Sequence, residues 1–322
     1  MFICLNVRMF KCLNDFVNYM IIGHQFQWNY LKKLAKSGKV PHALLFSGED
    51  EIGKKRIAFE FASILLNCDI KKIEDGIHPD FLFIKPVSNK GKEGKIQKPE
   101  IKISKIREVS SHFNLGSFSS PFKIAVIDDA HLMRKDAQSS FLKLLEEPKG
   151  NSLFILISSL PKTLLPTIKS RLQEIKFYRV LDSEISDYLK KKGFVGKEID
   201  DIIELSQGKP GRTDRFILNP EKIKEEKKKI KDIIKLVKSD FNFRFKYVEE
   251  LSNDPKRVKE ILELWLEYFR KALLKKASGK KSGKYTLEET ERILKLIQQL
   301  KKIISTTNIN PRLALEILMI EL

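Results

Sequence analysis

Residues 43–55 read ALLFSGEDEIGKK, running from Ala43 through Gly48 and Gly53 to Lys55, and this stretch decides the fold. Its first five residues, Ala43 to Ser47, form a short apolar run of the kind that fills a buried strand. A GxxxxGK loop follows. Behind it Ile57, Ala58, Phe61, Ala62, Ile64 and Leu65 recur at i, i+3, i+4, i+7 spacing, the period of a helix with one apolar face. Strand, loop and helix in that order make a phosphate loop, in which backbone N–H groups and the positive end of the helix converge on an anion. Gly48, Gly53, Lys54 and Lys55 are therefore candidate nucleotide-binding residues.

The loop departs from its pattern where the chemistry is most demanding. Position 55 should be Ser or Thr, whose hydroxyl holds Mg²⁺. Lys55 offers no such ligand, and an ammonium about 4 Å from a cation is repelled by roughly 4 kcal/mol per unit charge at an effective dielectric near 20. Lys55 is expected to swing into solvent. Glu49, Asp50 and Glu51 add three carboxylates to a loop that should receive phosphate. Lys54 and the loop amides could still hold ADP, ATP or phosphate without magnesium.

Outward from this loop, residues 20–177 alternate short apolar runs with helical patterns, the signature of βαβ units and a mostly parallel sheet. The further expected strands are Phe81 to Ile84, Ile124 to Asp128 and Phe154 to Ser158. Ala137, Phe141, Leu144 and Leu145 mark another helix, and Pro86 to Pro99 reads as an exposed loop. Asp128 and Asp129 end the third strand at the edge where an open α/β sheet keeps its chemistry. Asp128 is the candidate for the magnesium hydration shell. His131 has no second His or Cys beside it and reads as a polar residue ending the strand.

Residues 178–217 carry small helical patterns, and beyond about residue 218 no strand signal is convincing. Val258, Ile261, Leu262, Trp265, Tyr268, Phe269, Ala272 and Leu273 form one apolar helical stripe, and Ile293, Ile297, Leu300 and Ile304 form another. Ser278 to Gly283 reads as a linker, and Asn310 with Pro311 as the N-cap and first residue of a last helix. The expected fold is an α/β phosphate-loop domain with a parallel sheet over 20–177, a small helical domain over 178–217 and an all-α domain over 218–322.

The chain of 322 residues carries 61 Lys and Arg against 42 Asp and Glu, a formal charge of +19. That field attracts polyanions, nucleic acid above all, although much of the lysine is scattered among glutamates on helical stretches and reads as solvated surface. Cys4, Cys12 and Cys68 are an odd set with no CxxC pair, which argues for a reducing compartment and against a cysteine zinc site. No apolar run approaches the roughly 18–20 residues of a membrane helix. The expected setting is the cytoplasm, with no membrane partner.

The neighbours of the loop narrow the reading. Pro41 to Gly48 (PHALLFSG), Phe141 to Pro148 (FLKLLEEP) and Thr167 to Gln173 (TIKSRLQ) resemble the clamp-loader branch of the AAA+ proteins. Within it, the resemblance is greatest to the delta-prime family of bacterial DNA polymerase III. It runs from about Ile22 to Gly211 and returns weakly over Asn308 to Leu318. It implies a nucleotide-binding domain, a helical lid and a helical collar that holds a ring together. It also implies partners: gamma/tau-type ATPase subunits, a delta subunit, the sliding clamp and primer-template DNA.

The resemblance gives Arg171 the role of an arginine finger that reaches a triphosphate held by the neighbouring subunit, with Ser170 beside it at the interface. A planar guanidinium suits a γ-phosphate, and such a finger is typically worth about 10³ to 10⁵ in rate. The competing reading pairs Arg171 with a carboxylate such as Glu174. Ser158 or Ser159 occupies the polar sensor position, or else caps a strand end. Asp129 stands where the family carries a Glu to orient water, one methylene short, and a displacement of about 1 Å can cost roughly 100-fold in rate. Gly211 falls at the second sensor position, with Arg212 one step later. Of the family's zinc cysteines only Cys68 remains, so no zinc is expected.

These departures together imply a subunit that activates a neighbour's ATP without turning over its own. An autonomous gamma/tau-like ATPase and a basic DNA-binding protein with a vestigial nucleotide fold are the alternatives. Because the family begins close to the residues resembling Ile22 to Gln25, translation is expected to start at Met20, leaving 1–19 as a gene-start artefact. The other reading of that segment is a short amphipathic arm bearing Phe10, Leu13, Val17 and Met20.

Overall fold

A computed structural model describes residues 21–88, 99–252, 254–279, 284–306 and 309–322. The expectations for residues 1–20, and those for 89–98 and 280–283 within the two expected loops, lie outside the described residues. The chain divides after Leu218 into two compact units. The residues expected as a lid, 178–217, are gathered with the sheet into the first.

In the first unit, helix α1 (Gln25–Ser37) leads into strand β1 (Ala43–Ser47), α2 (Lys54–Leu66), α3 (Ile70–Glu74) and β2 (Phe81–Ile84). There follow α4 (Ile103–Asn114), β3 (Lys123–Ile127), α5 (Lys135–Glu146), β4 (Ser152–Ser158), α6 (Pro166–Lys169) and β5 (Gln173–Lys176). The unit ends in α7 (Asp182–Lys191), α8 (Lys197–Ser206) and α9 (Pro210–Leu218). The five strands are all parallel, in the order β2-β3-β4-β1-β5. Strand β3 closes one residue before the expected Asp128, and β4 starts two residues earlier than expected.

Alternation along the strands splits the core in two. Leu44, Phe46, Ile124, Val126, Leu153, Ile155 and Ile157 face one side, under α1, α2 and α3. Leu45, Ala125, Ile127, Phe154 and Leu156 face the other, with Ile106 of α4 and Phe141 of α5. Trp28 of α1 is half-buried against the first side. Each such Leu, Ile or Phe contributes about 1.5–3 kcal/mol by leaving water, so continuous apolar strands need helices on both faces.

The register Ala43↔Phe154 to Ser47↔Ser158 brings the carboxyl ends of β1 and β4 level, with Asp128 just past β3 on the same edge. At the opposite ends of the strands, buried Asp80 accepts hydrogen bonds from the backbone of Phe118, Ser119 and Ser120 and fixes the turn into β3. Val87 and Glu100 exchange backbone hydrogen bonds, closing the expected loop at its base.

The second unit is helical: α10 (Glu221–Lys238), α11 (Phe241–Ser252), α12 (Pro255–Ala277), α13 (Leu287–Thr306) and α14 (Pro311–Glu321). Its core contains the expected stripe residues Val258, Ile261, Leu262, Trp265 and Phe269 of α12 and Ile293, Ile297 and Leu300 of α13. Asn310 caps α14 through its side chain, with Pro311 at the first helical position, as expected. Arg244 of α11 is buried, and its guanidinium donates to the carbonyls of Leu236 and Val237 at the end of α10 and of Met319 near the end of α14. Those carbonyls sit in last turns, where backbone acceptors have no helical partner and cations are favoured. Among the described residues no helix is long and apolar enough to cross a membrane.

Candidate functional site

Gly48 leaves β1 with φ +148°, and a Cβ there would lie 2.4 Å from the carbonyl oxygen of Phe177, so only glycine lets the loop start this close to the chain leaving β5. Gly53 ends the loop with φ +97° and hands the chain to α2. Between them Ile52 is buried, and its carbonyl accepts a hydrogen bond from His24 Nε2 at 2.8 Å. The loop thus has the frame of a phosphate cradle at the carboxyl edge of a parallel sheet.

Of its charged side chains, Lys54 folds back onto the loop itself. Lys54 is buried, and its ammonium donates to the carbonyls of Gly48 at 2.6 Å and Glu49 at 2.5 Å. Burial lowers the Lys54 pKa, while the charges of Asp50, Asp129, Asp128 and Glu49 pull it back up. The Glu49 carboxylate meets Arg179, with Nη2 2.7 Å from Oε2 and Nε donating to both oxygens at 3.1 Å. Buried Lys209 lies 3.5 Å from the same carboxylate. Glu51, at φ +62°, pairs with Arg215 at 2.7 Å, and its carbonyl accepts the Gly211 N–H at 2.8 Å. Three cations and one backbone N–H from residues 179–215 therefore satisfy Glu49, Glu51 and a carbonyl of the loop.

Lys55 is exposed, and its ammonium rests against aromatic side chains. Its ammonium lies 4.5 Å from the centre of the Phe83 ring and 5.3 Å from that of Phe59. The quadrupole of an aromatic face attracts a cation at such distances, which gives Lys55 a resting place beside the sheet edge. Asp128 is partly buried and its Oδ1 accepts the N–H of Asp129. Burial raises the Asp128 pKa, the Asp129 charge raises it further, and Lys55 and Lys54 act the other way. Asp129 has φ +46°, in the left-handed region. Ser158 is fully buried, its Oγ accepting the Leu160 N–H at 3.2 Å, while Ser159 is partly exposed.

These residues do not fit a magnesium triphosphate. The lysine that should meet phosphate is spent on two loop carbonyls, the neighbouring cations are neutralised by the loop's own acids, and position 55 presents an ammonium instead of a hydroxyl. At the second sensor position a Cβ on Gly211 would lie 2.8 Å from the Glu51 carbonyl oxygen, so that residue closes on the loop and carries no side chain into it. Arg212 is buried in α9, with its guanidinium 5.9 Å from the Phe216 ring centre.

Arg171 stands apart from the loop, just after α6. Its side chain is 37% exposed, with Nη1 donating to the Thr167 carbonyl at 2.9 Å and Nη2 3.0 Å from Glu146 Oε1. The expected competitor, Glu174, instead accepts the Ser47 hydroxyl at 2.6 Å. Ser170 is exposed and its hydroxyl donates to the same Thr167 carbonyl. The pairing with Glu146 and the partners of Glu49 and Glu51 were not read from the sequence. The signal available was a set of acids and bases with complementary charge, far apart along the chain.

Residues 23–180 match the protein family described as DNA polymerase III, delta subunit. DNA polymerase III subunit gamma of Buchnera aphidicola subsp. Schizaphis graminum is 30% identical over 189 residues, covering 54% of this chain and 49% of the relative. DNA polymerase III subunit delta' of Bacillus subtilis is 31% identical over 164 residues, covering 47% of this chain and 46% of the relative. The chain thus spans about half the length of these relatives. A crystal structure of a DNA polymerase III gamma-subunit-related protein from Thermotoga maritima aligns with a TM-score of 0.50 at 17% identity, covering 90% of this chain and 97% of that one. The shared fold is the AAA+ arrangement of a parallel α/β sheet followed by helices.

Proposed function

We propose that the chain, which is similar over its first half to gamma, delta' and tau subunits of DNA polymerase III, serves as a delta-prime-type stator of a clamp loader, assembling in the cytoplasm with gamma/tau-type ATPase subunits and a delta subunit. In that assembly it helps load the sliding clamp onto primed DNA and donates Arg171 to nucleotide held by the adjoining subunit, without turning over nucleotide itself.

The observation that carries this reading is a contrast within one unit. Lys54 of the chain's own loop is buried on two loop carbonyls. Arg171, held by the Thr167 carbonyl and Glu146, keeps its side chain 37% exposed and away from that loop. A fixed cation near a transferring phosphoryl group stabilises charge that spreads over its oxygens in the transition state.

The test is reconstitution with the ATPase and delta subunits, comparing wild type with Arg171→Ala. Assembly is expected to be unchanged, while turnover at the adjoining site falls by about 10³-fold and clamp loading falls with it. Unchanged turnover and loading would overturn the proposal.

A further inference from the structure

Two stretches that resemble the clamp-loader family at separate places in the chain, FLKLLEEP and TIKSRL, meet at one ion pair. Glu146 is the last residue of α5, and Arg171 follows α6 by two residues. The two helices are joined beneath the pair. Buried Gln138 of α5 donates to the Met133 carbonyl and accepts the Leu165 N–H at 2.9 Å, at the head of α6. Ile168 of α6 is fully buried in the same core as Phe141 and Leu145 of α5. Glu146 is thus presented to Arg171 from a fixed element.

We infer that Glu146 is a positioning residue for Arg171, its carboxylate holding the plane of the guanidinium so that the remaining N–H groups face outward. This rests on the reading of Arg171 as a finger donated in trans. A guanidinium has five N–H donors in a rigid fork. One from Nη1 is taken by the Thr167 carbonyl, and the Glu146 carboxylate faces Nη2. Two anchors on a planar group fix its orientation, and the fork keeps further N–H donors for another acceptor. The Ser170 hydroxyl, on the same Thr167 carbonyl, ties the neighbouring residue to the same point.

The energetics separate positioning from structure. Both side chains are substantially exposed, at 37% and 49%, and an exposed ion pair adds little to folding stability. A catalytic group displaced by about 1 Å can cost roughly 100-fold in rate. Loss of the carboxylate should therefore appear in turnover and leave the thermal transition where it was.

The experiment uses the reconstituted complex and compares wild type, Glu146→Gln, Arg171→Ala and the double variant. The readouts are kcat and KM for ATP per assembled complex, with the melting temperature of each free subunit. Glu146→Gln is expected to lower kcat about tenfold, with KM and melting temperature unchanged. The double variant should be no slower than Arg171→Ala alone, because the two residues act as one unit. Wild-type or raised kcat in Glu146→Gln would overturn the inference, as would a loss that adds to that of Arg171→Ala. Those outcomes leave the finger intact if Arg171→Ala is itself slow. Wild-type turnover in Arg171→Ala would instead remove the proposed function, and the inference with it.

Discussion

His24, His78 and His112 share one circumstance: burial lowers the pKa of each imidazole below its ordinary value of 6.5. For His24 the cost of charging is visible in its surroundings. Its ring meets the edge of Phe177, and Lys54 opposes a second positive charge nearby. The hydrogen bond to Ile52 and the charge of Glu184 act in the other direction but are outweighed. Because the folded pKa is the lower one, these residues are neutral in both states above pH 6.5. Below it the unfolded chain takes up protons that the folded chain refuses. Stability is therefore complete above pH 6.5 and falls as acid is added. The slope is at most about 1.4 kcal/mol per pH unit for each proton taken up, less where solvent screens the ring. Urea unfolding between pH 7.5 and 5 checks this prediction, and a flat profile would refute it.

At the scale of elements, the phosphate loop and α9 are built against each other. The Gly211 N–H reaches the Glu51 carbonyl, and Arg215 on the same helix reaches the Glu51 carboxylate. Gly211→Ala places a Cβ 2.8 Å from a backbone oxygen, so helix or loop has to move. The expected destabilisation is about 1–3 kcal/mol, read as a lowered melting temperature. Gly116→Ala, whose Cβ meets nothing within 4 Å, serves as the neutral control. Equal melting temperatures for the two variants would show that the contact carries no energy.

The same elements show how far residues alone can be read. Strand β1, the loop and α2 were legible because a continuous apolar run, two glycines and a helical period follow one another without a gap. Strand β5 was not, because Gln173, Glu174 and Lys176 are exposed and only Ile175 is buried. Its identity comes from pairing with β1, which no local pattern records. Arg171 was legible as an outward cation through its flanking residues, whereas Glu146 was not singled out as its partner, since ion pairing depends on which helices the core brings together. Glu49 and Glu51 were legible as obstacles to phosphate, but their partners Arg179, Lys209 and Arg215 emerge only once the chain returns to the loop.

At the scale of the whole molecule, the two units differ in what acid can do to them. The histidines whose pKa burial lowers, His24, His78 and His112, all fall before residue 219. The second unit is tied by Arg244 to the carbonyls of Leu236, Val237 and Met319, and the sequence beyond residue 218 holds no histidine. Mild acidification from pH 7 to 5 is accordingly expected to weaken the first unit ahead of the second. Hydrogen exchange followed by peptide mapping would locate the loss, and equal deprotection on both sides of Leu218 would contradict the prediction.

The sequence has two tryptophans, and the division after Leu218 leaves one in each unit: Trp28, half-buried on α1, and Trp265, wholly enclosed within α12's core. The protein is in this sense already labelled. Its intrinsic fluorescence is the sum of two indole signals from separate cores, and replacing either with Phe leaves an optical reporter for the other half alone.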